Sequence, residues 1–227
     1  DRLRSRGLGD VYKRQAMGEI LRAELAAHGF AGKLLLCGDH EIALAGAMQT
    51  PGCVLIAGTG SICYGKNAAG ENFRCGGGGH IIDDPGSGYA LGRDALAAAL
   101  QTEDGRLSEN ALHGAVMDTV GGSGIQGIFD FVYFSRRGKG DIAALAPLVL
   151  RCAAQGDAVS LDILRRGAAE LARLVSAVMG KLGLENGSPC ALAGGLLAED
   201  NVYRRAVCAA LAPFCRCLLY PSPSPRD

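Results

Sequence analysis

Cys53-Val54-Leu55-Ile56-Ala57-Gly58-Thr59-Gly60-Ser61-Ile62-Cys63-Tyr64-Gly65 decides the fold, because an apolar run enters a Gly-Thr-Gly-Ser turn and leaves it as a second strand-like run. Such a hairpin suits a phosphate group. Glycines let the backbone approach an anion and present its N–H groups, and the Thr and Ser hydroxyls add donors with little bulk. Taken alone, the same residues also describe an ordinary tight turn between strands. A P-loop would need Gly-Lys followed by Ser or Thr and then a helix. Gly-Lys occurs at Gly32, Gly65, Gly138 and Gly180, each time without that continuation, so the Walker reading is excluded.

Working outward from the hairpin, Lys66-Asn67-Ala68-Ala69-Gly70 turns a third strand back toward Cys75, giving a three-strand meander. Gly76-Gly77-Gly78-Gly79 is a loop, and Pro85-Gly86-Ser87 opens a helix through Ala97 to Leu100. On the N-terminal side, Met17, Ile20, Leu21 and Leu25 space a helix that closes near His28-Gly29. A short buried strand at Lys33 to Cys37 follows, with Asp39 at its carboxyl end and a small-residue helix from His40 to Met48. From Leu107 to Leu182 the chain reads as mostly helical. Its last element begins with Asp157 as N-cap, carries Leu161, Leu164, Ala168, Leu171, Val175, Val178 and Leu182 as a core stripe, and stops at Gly183. Pro189 to Leu192 is then a strand entering Ala193-Gly194-Gly195, with Asp200 to Ala212 helical. Strand, loop and helix alternate, so the class is α/β.

Composition narrows the partners. The 227 residues are 48% hydrophobic with 8 Pro, enough to bury a real core. The formal charge is zero, from 23 basic and 23 acidic residues with no long basic block, which disfavours nucleic acid. Nine cysteines from Cys37 to Cys217 contain no C-x-x-C and no histidine at ligand spacing, so reduced core thiols are expected. No apolar run reaches membrane-spanning length and no secretory pattern opens the chain, which points to the cytoplasm and away from a membrane. Residues 1–15 and 217–227 show neither period nor buriable surface and read as non-native scars on a fragment.

Among single residues, Asp39 stands out as a catalytic candidate, since a carboxylate at a strand's C-terminal edge faces the crevice where ligands bind. A lone Asp there otherwise caps the next helix. Asp83 and Asp84 are adjacent, so one is expected to face a ligand and the other to cap a helix. His80 reads as a buried, hydrogen-bonded loop histidine. Gly122-Ser123-Gly124-Ile125-Gln126-Gly127 matches a dinucleotide fingerprint in form only, because a helix from Leu112 to Val120 precedes it where that motif needs a strand. Gly194-Gly195 serves equally as a strand-end turn or as bare backbone for an adenine ring.

Together, Gly38-Asp39, Ile56-Ala57-Gly58-Thr59-Gly60-Ser61, Gly76-Gly77-Gly78-Gly79-His80, Asp84-Pro85-Gly86-Ser87-Gly88-Tyr89 and Ala193-Gly194-Gly195 resemble the N-acetylglucosamine kinase branch of the BadF/BadG/BcrA/BcrD ATPase family. The resemblance runs in order from about Leu34 to Leu211, with Ala154-Gln155-Gly156-Asp157 also matching. It implies an actin-like, ribonuclease H-like ATPase fold that is incomplete here: 16–49 a remnant of the first domain and 50–216 most of the second. By the same resemblance, ATP and Mg2+ are the cofactors and Asp39 is the base toward a sugar hydroxyl. Gly58, Thr59, Gly60 and Ser61 form the phosphate loop, Gly194 and Gly195 the adenosine-side turn, and Gly77, Gly78, Gly79 and Asp84 hold the amino sugar. The family's opening Asp-x-Gly-x-Thr hairpin is absent, so the isolated chain is expected to be nearly inactive. A homodimer stays possible. The rival readings are an activator ATPase of an acyl-CoA dehydratase or reductase, suggested by the cysteines, and a non-catalytic sugar-binding module.

Overall fold

Strand β1 (Gly52–Ala57) is buried along almost its whole length, which is what an unbroken apolar run dictates: it belongs in the middle of a sheet covered on both faces. In the computed structural model, residues 10–30, 32, 38–47, 51–121, 124–134 and 137–219 are described. Helices α1 (Asp10–Ala27) and α2 (Asp39–Ala47) precede β1, and β2 (Ser61–Lys66) and β3 (Asn72–Gly76) complete the meander. A helical region follows: α3 (Gly88–Glu103), α4 (Ala111–Val120), α5 (Gly124–Phe129) running into a π-turn, α6 (Lys139–Ala143), α7 (Ala146–Ala154) and α8 (Ala158–Leu182). The chain returns to the sheet as β4 (Ser188–Ala193), α9 (Val202–Leu211) and β5 (Cys215–Leu219).

Among the described residues the strand order is β3-β2-β1-β4-β5. β1 pairs antiparallel with β2, from Gly52↔Lys66 to Ala57↔Ser61, and parallel with β4, from Cys53↔Cys190 to Ile56↔Ala193. β5 joins β4 in parallel, with α9 as the crossover. The parallel strands therefore end on one edge, and the loops leaving β1 and β4 there are neighbours.

α8 covers one face of the sheet. Leu164, Ala168, Leu171, Val175, Val178 and Leu182 are all buried, and the helix meets the sheet closely at Gly65, where a Cβ would lie 2.7 Å from Val178 Cγ1. Asp157 caps it, accepting from Ser160 N–H at 2.8 Å, and Gly183 ends it in a left-handed conformation with φ 60°. The other face is covered by α2, whose Leu44 packs with Val54, Tyr64, Ala191 and Ala193. Of the eight described cysteines, all free, Cys53, Cys63, Cys152, Cys190 and Cys215 are buried. No single helix among the described residues is long and apolar enough to cross a membrane.

Several expectations need correction. Leu161 is 41% exposed, and the buried apolar stripe of α8 starts at Ile163 and Leu164; in the first turn it is Ser160, fully buried, that faces inward. α1 begins at Asp10, inside the stretch read as a scar, since a helix extends cooperatively once nucleated, whatever its surface composition. β5 continues to Leu219, past the expected boundary at 216, because pairing with β4 uses backbone groups and needs no side-chain pattern. α2 opens at Asp39, one residue early. The strand expected at Lys33 to Cys37 lies outside the described residues.

If the stripe holds the sheet, Leu171→Ala destabilises the chain by about 2–5 kcal/mol, whereas Leu161→Ala stays within about 0.5 kcal/mol. Denaturant midpoints of the two variants check the contrast.

Candidate functional site

The turn between β1 and β2 is held from below and leaves its tip free. Gly58 N–H donates to Gly60 C=O at 2.9 Å, closing the turn. The first residues of α3 donate to its carbonyls, Gly88 N–H to Gly58 at 2.7 Å and Tyr89 N–H to Thr59 at 3.3 Å. Ser87 caps that helix, accepting from Ala90 N–H. The positive end of α3 thus points at the turn, which favours an anion there. Among the described residues, the N–H groups of Thr59 and Gly60 and the Thr59 hydroxyl have no protein partner, and Thr59 is exposed.

Ser61 behaves differently from the expected phosphate donor. It is 3% exposed, its N–H donates to Asp84 Oδ1 at 3.2 Å and its hydroxyl to Pro85 C=O at 2.6 Å. Both donors are committed to the loop behind the turn, so Ser61 is a strut.

Asp84 is the other end of that strut. It is 3% exposed and is the non-glycine residue with positive φ, 61°, among the described residues. Its carboxylate lies against Gly60, where a Cβ would be 3.0 Å from both oxygens, and Oδ2 accepts from Lys139 Nζ at 2.6 Å. Lys139 opens α6, which is seated tightly on α3: a Cβ at Gly92 would collide with the Ile142 carbonyl. Asp83 caps no helix. Its Oδ2 accepts from Gly78 N–H at 2.7 Å, fixing the glycine loop, while the α3 cap is Ser87.

In that loop, Gly77 N–H donates to Ser61 C=O at 2.9 Å, and Gly76, Gly77 and Gly79 all have positive φ. Gly79 N–H has no partner among the described residues and nothing lies within 4 Å of a Cβ placed there. His80 is in the loop as expected but half-buried, and among the described residues, in place of the expected hydrogen bond, it packs edge-on against Tyr89, ring centroids 4.7 Å apart.

Gly194 and Gly195 have separate roles. Gly194 has φ 90°, and a Cβ on it would press into the Ala57 backbone, 2.7 Å from its carbonyl carbon, so it sets the close approach of the two loops. Gly195 is exposed with open space above it. The edge therefore brings together Thr59, Gly60 and Gly195, with Gly79 and Asp84 one loop away. The side chain of Asp39 lies outside the described residues; its neighbour His40 stacks on Tyr64, 4.9 Å between centroids, on the α2 face. None of the predicted residues lines the cavity of about 400 Å³ between α3 and the start of α8, whose wall carries Asp94, Gln101, Asp162 and Arg166. The dinucleotide-like glycines follow α4, a helix, as expected.

Two residues were not legible in the sequence. Lys139 lies 55 positions from Asp84 in a helical stretch, with no motif around it. Tyr203 of α9 is fully buried and donates to Gly86 C=O at 2.6 Å, anchoring the loop before α3; burial pushes its phenol well above the usual tyrosine range.

The profile of the BadF/BadG/BcrA/BcrD ATPase family matches residues 5–210. An N-acetylmuramic acid/N-acetylglucosamine kinase of Clostridium acetobutylicum is 38% identical over 184 residues, 80% of this chain and 60% of the relative. An N-acetyl-D-glucosamine kinase of Dictyostelium discoideum is 31% identical over 169 residues, 72% of this chain and 53% of the relative. The solved structure of a candidate N-acetylglucosamine kinase from Chromobacterium violaceum superposes with TM-score 0.63 at 32% identity, covering 78% of this chain and 57% of that one. A second, from Porphyromonas gingivalis, gives TM-score 0.59 at 20% identity, a likeness of fold, covering 79% of this chain and 59% of that one. The chain thus spans between half and two thirds of the length of these relatives.

The two glycines after β4 predict opposite outcomes. Gly194→Ala costs about 2–4 kcal/mol, from its left-handed backbone and the collision with Ala57, whereas Gly195→Ala leaves the denaturant midpoint nearly unchanged. Equal losses in both variants would contradict this division.

Proposed function

Since the chain belongs to the BadF/BadG/BcrA/BcrD ATPase family, we propose that it is part of an ATP-dependent sugar kinase acting on an amino sugar such as N-acetylglucosamine. The observation that carries this reading is the edge shared by β1 and β4. Two N–H groups on the phosphate turn, unpartnered among the described residues, stand beside the open backbone of Gly195, with the positive end of α3 behind them. The kinase names of relatives at 38% and 31% identity support the same reaction.

The donor set fits a nucleotide triphosphate. Thr59 and Gly60 would bind phosphate oxygens through N–H groups and the Thr59 hydroxyl, and Gly195 would lie against the adenine side while Gly194 sets its distance. When bound, MgATP would supply the phosphoryl group and a positive charge that offsets the charge of its phosphates. The protein's part is alignment and electrostatic support of developing charge, which is most of what phosphoryl transfer requires. Asp39 would take the proton of the attacking sugar hydroxyl. The glycine loop would form the sugar side through Gly79, whose N–H has no partner among the described residues. Gly77 and Gly78 donate theirs to Ser61 and Asp83, and Asp84, with both oxygens taken at 3% exposure, braces the loop instead of holding the amino sugar as expected. Residues 16–49 are read as a remnant of the first lobe and 50–216 as most of the second. The free thiols fit a reducing compartment such as the cytoplasm.

In a full-length parent protein, ADP release from ATP is expected to depend on N-acetylglucosamine, and Asp39→Asn to lower turnover by about 10²- to 10⁴-fold with ATP binding nearly intact. The isolated 227-residue chain is expected to transfer almost nothing. Unchanged turnover in Asp39→Asn removes that residue from the mechanism, and a parent that phosphorylates no amino sugar overturns the assignment.

A further inference from the structure

A buried carboxylate directly behind an anion-binding turn works against it. Asp84 is such a group: both its oxygens lie 3.0 Å from where a Cβ of Gly60 would be, and the free N–H groups of Thr59 and Gly60 are on that same turn. At this depth the field of a bare carboxylate is poorly screened and opposes a bound phosphate. The fold nevertheless keeps Asp84, because its Oδ1 holds Ser61 N–H and so fixes the base of the turn. Among the described residues the cation paired with it is Lys139, at 2.6 Å, with 26% of its side chain exposed against 4% for Asp84.

We propose that Lys139 is a positioning residue for the phosphate site: it neutralises Asp84, so that the carboxylate can brace the turn without repelling the triphosphate that the turn accepts. This rests on the phosphate reading of the turn and adds a role for a residue from a different part of the chain. Lys139 acts through Asp84 and makes no contact with the ligand. The two charges work as a unit, so removing the lysine alone is harmful. Removing both charges restores a neutral, hydrogen-bonded support, because the amide oxygen introduced by Asp84→Asn still accepts from Ser61 N–H.

The test is a charge cycle on the 227-residue chain, with inorganic triphosphate as the probe and affinity read by calorimetry at low and high salt. Circular dichroism and denaturant midpoints accompany every variant. Lys139→Met is expected to weaken binding by about 10- to 100-fold at low salt, and less at high salt. Lys139→Arg keeps the charge and stays close to the parent chain. Asp84→Asn alone binds at least as tightly as the parent, and Asp84→Asn combined with Lys139→Met returns to near the parent affinity. The proposal is overturned if the double variant is as weak as Lys139→Met, if Asp84→Asn weakens binding as much as Lys139→Met, or if the parent chain does not bind triphosphate. Should Lys139→Met fail to fold, the double variant decides: affinity near that of the unsubstituted chain sustains the proposal, and binding weaker by about 10-fold or more overturns it. Sugar phosphorylation by the full-length parent is read separately, so a turn that binds triphosphate under charge control in a protein that phosphorylates no sugar sustains this proposal and removes the kinase reading.

Discussion

The arrangement at the sheet edge depends on one buried ionic bridge, in which Asp84 accepts from the backbone of Ser61 with one oxygen and from Lys139 with the other. A carboxylate at 3% exposure is costly unless paired and hydrogen-bonded, and this one is both. Through it, three separate pieces of chain become one support: the hairpin, the loop before α3, and α6. α3 adds its own bonds to Gly58 and Thr59, so the turn is held by a helix terminus and a charge pair together. Its remaining donors are then left without partners among the described residues. A rigid base with an unsatisfied rim is what an anion site requires, because the ordering cost is met by the fold before the ligand arrives.

How much of this was legible in the sequence follows from the range of the interactions involved. The meander, the Asp157 cap, the Gly183 stop and most of the α8 stripe are local signals, carried by residues a few positions apart, and they read correctly. The strand Pro189–Leu192 and its glycine turn are legible for the same reason. The element ends are less so: Leu161 matches the period but is left exposed while Ser160 beside it is buried, and β5 is secured by backbone pairing that side chains do not announce. Asp83 and Asp84 read as a pair with divided roles, yet the division differs from the expected one. Asp83 closes the glycine loop through Gly78, and Ser87 takes the cap.

Long-range partners stay invisible to local pattern. Gly138-Lys139 reads only as a failed P-loop, and the failure is real, since no Ser or Thr follows. The lysine nonetheless arrives beneath the turn between β1 and β2, brought by the packing of α6 on α3 at Gly92. Ser61 shows the converse. Its place in Gly-Thr-Gly-Ser suggests a ligand contact, but the register Ala57↔Ser61 makes it the first residue of β2, where its groups turn inward to the loop. The glycine pair after β4 divides in the same manner, with Gly194 needed for packing and Gly195 left open. In each case packing, which no motif spells out, decides which groups stay open.

The central claim is that Thr59 and Gly60 are the anion-facing groups of this edge, with Gly195 beside them. A backbone amide titration by NMR with MgATP tests it most directly. The account predicts the largest shifts at Thr59 and Gly60, a smaller one at Gly195, and little at residues lining the cavity between α3 and α8. Shifts concentrated at Asp94, Gln101, Asp162 and Arg166, with the turn unaffected, would contradict it.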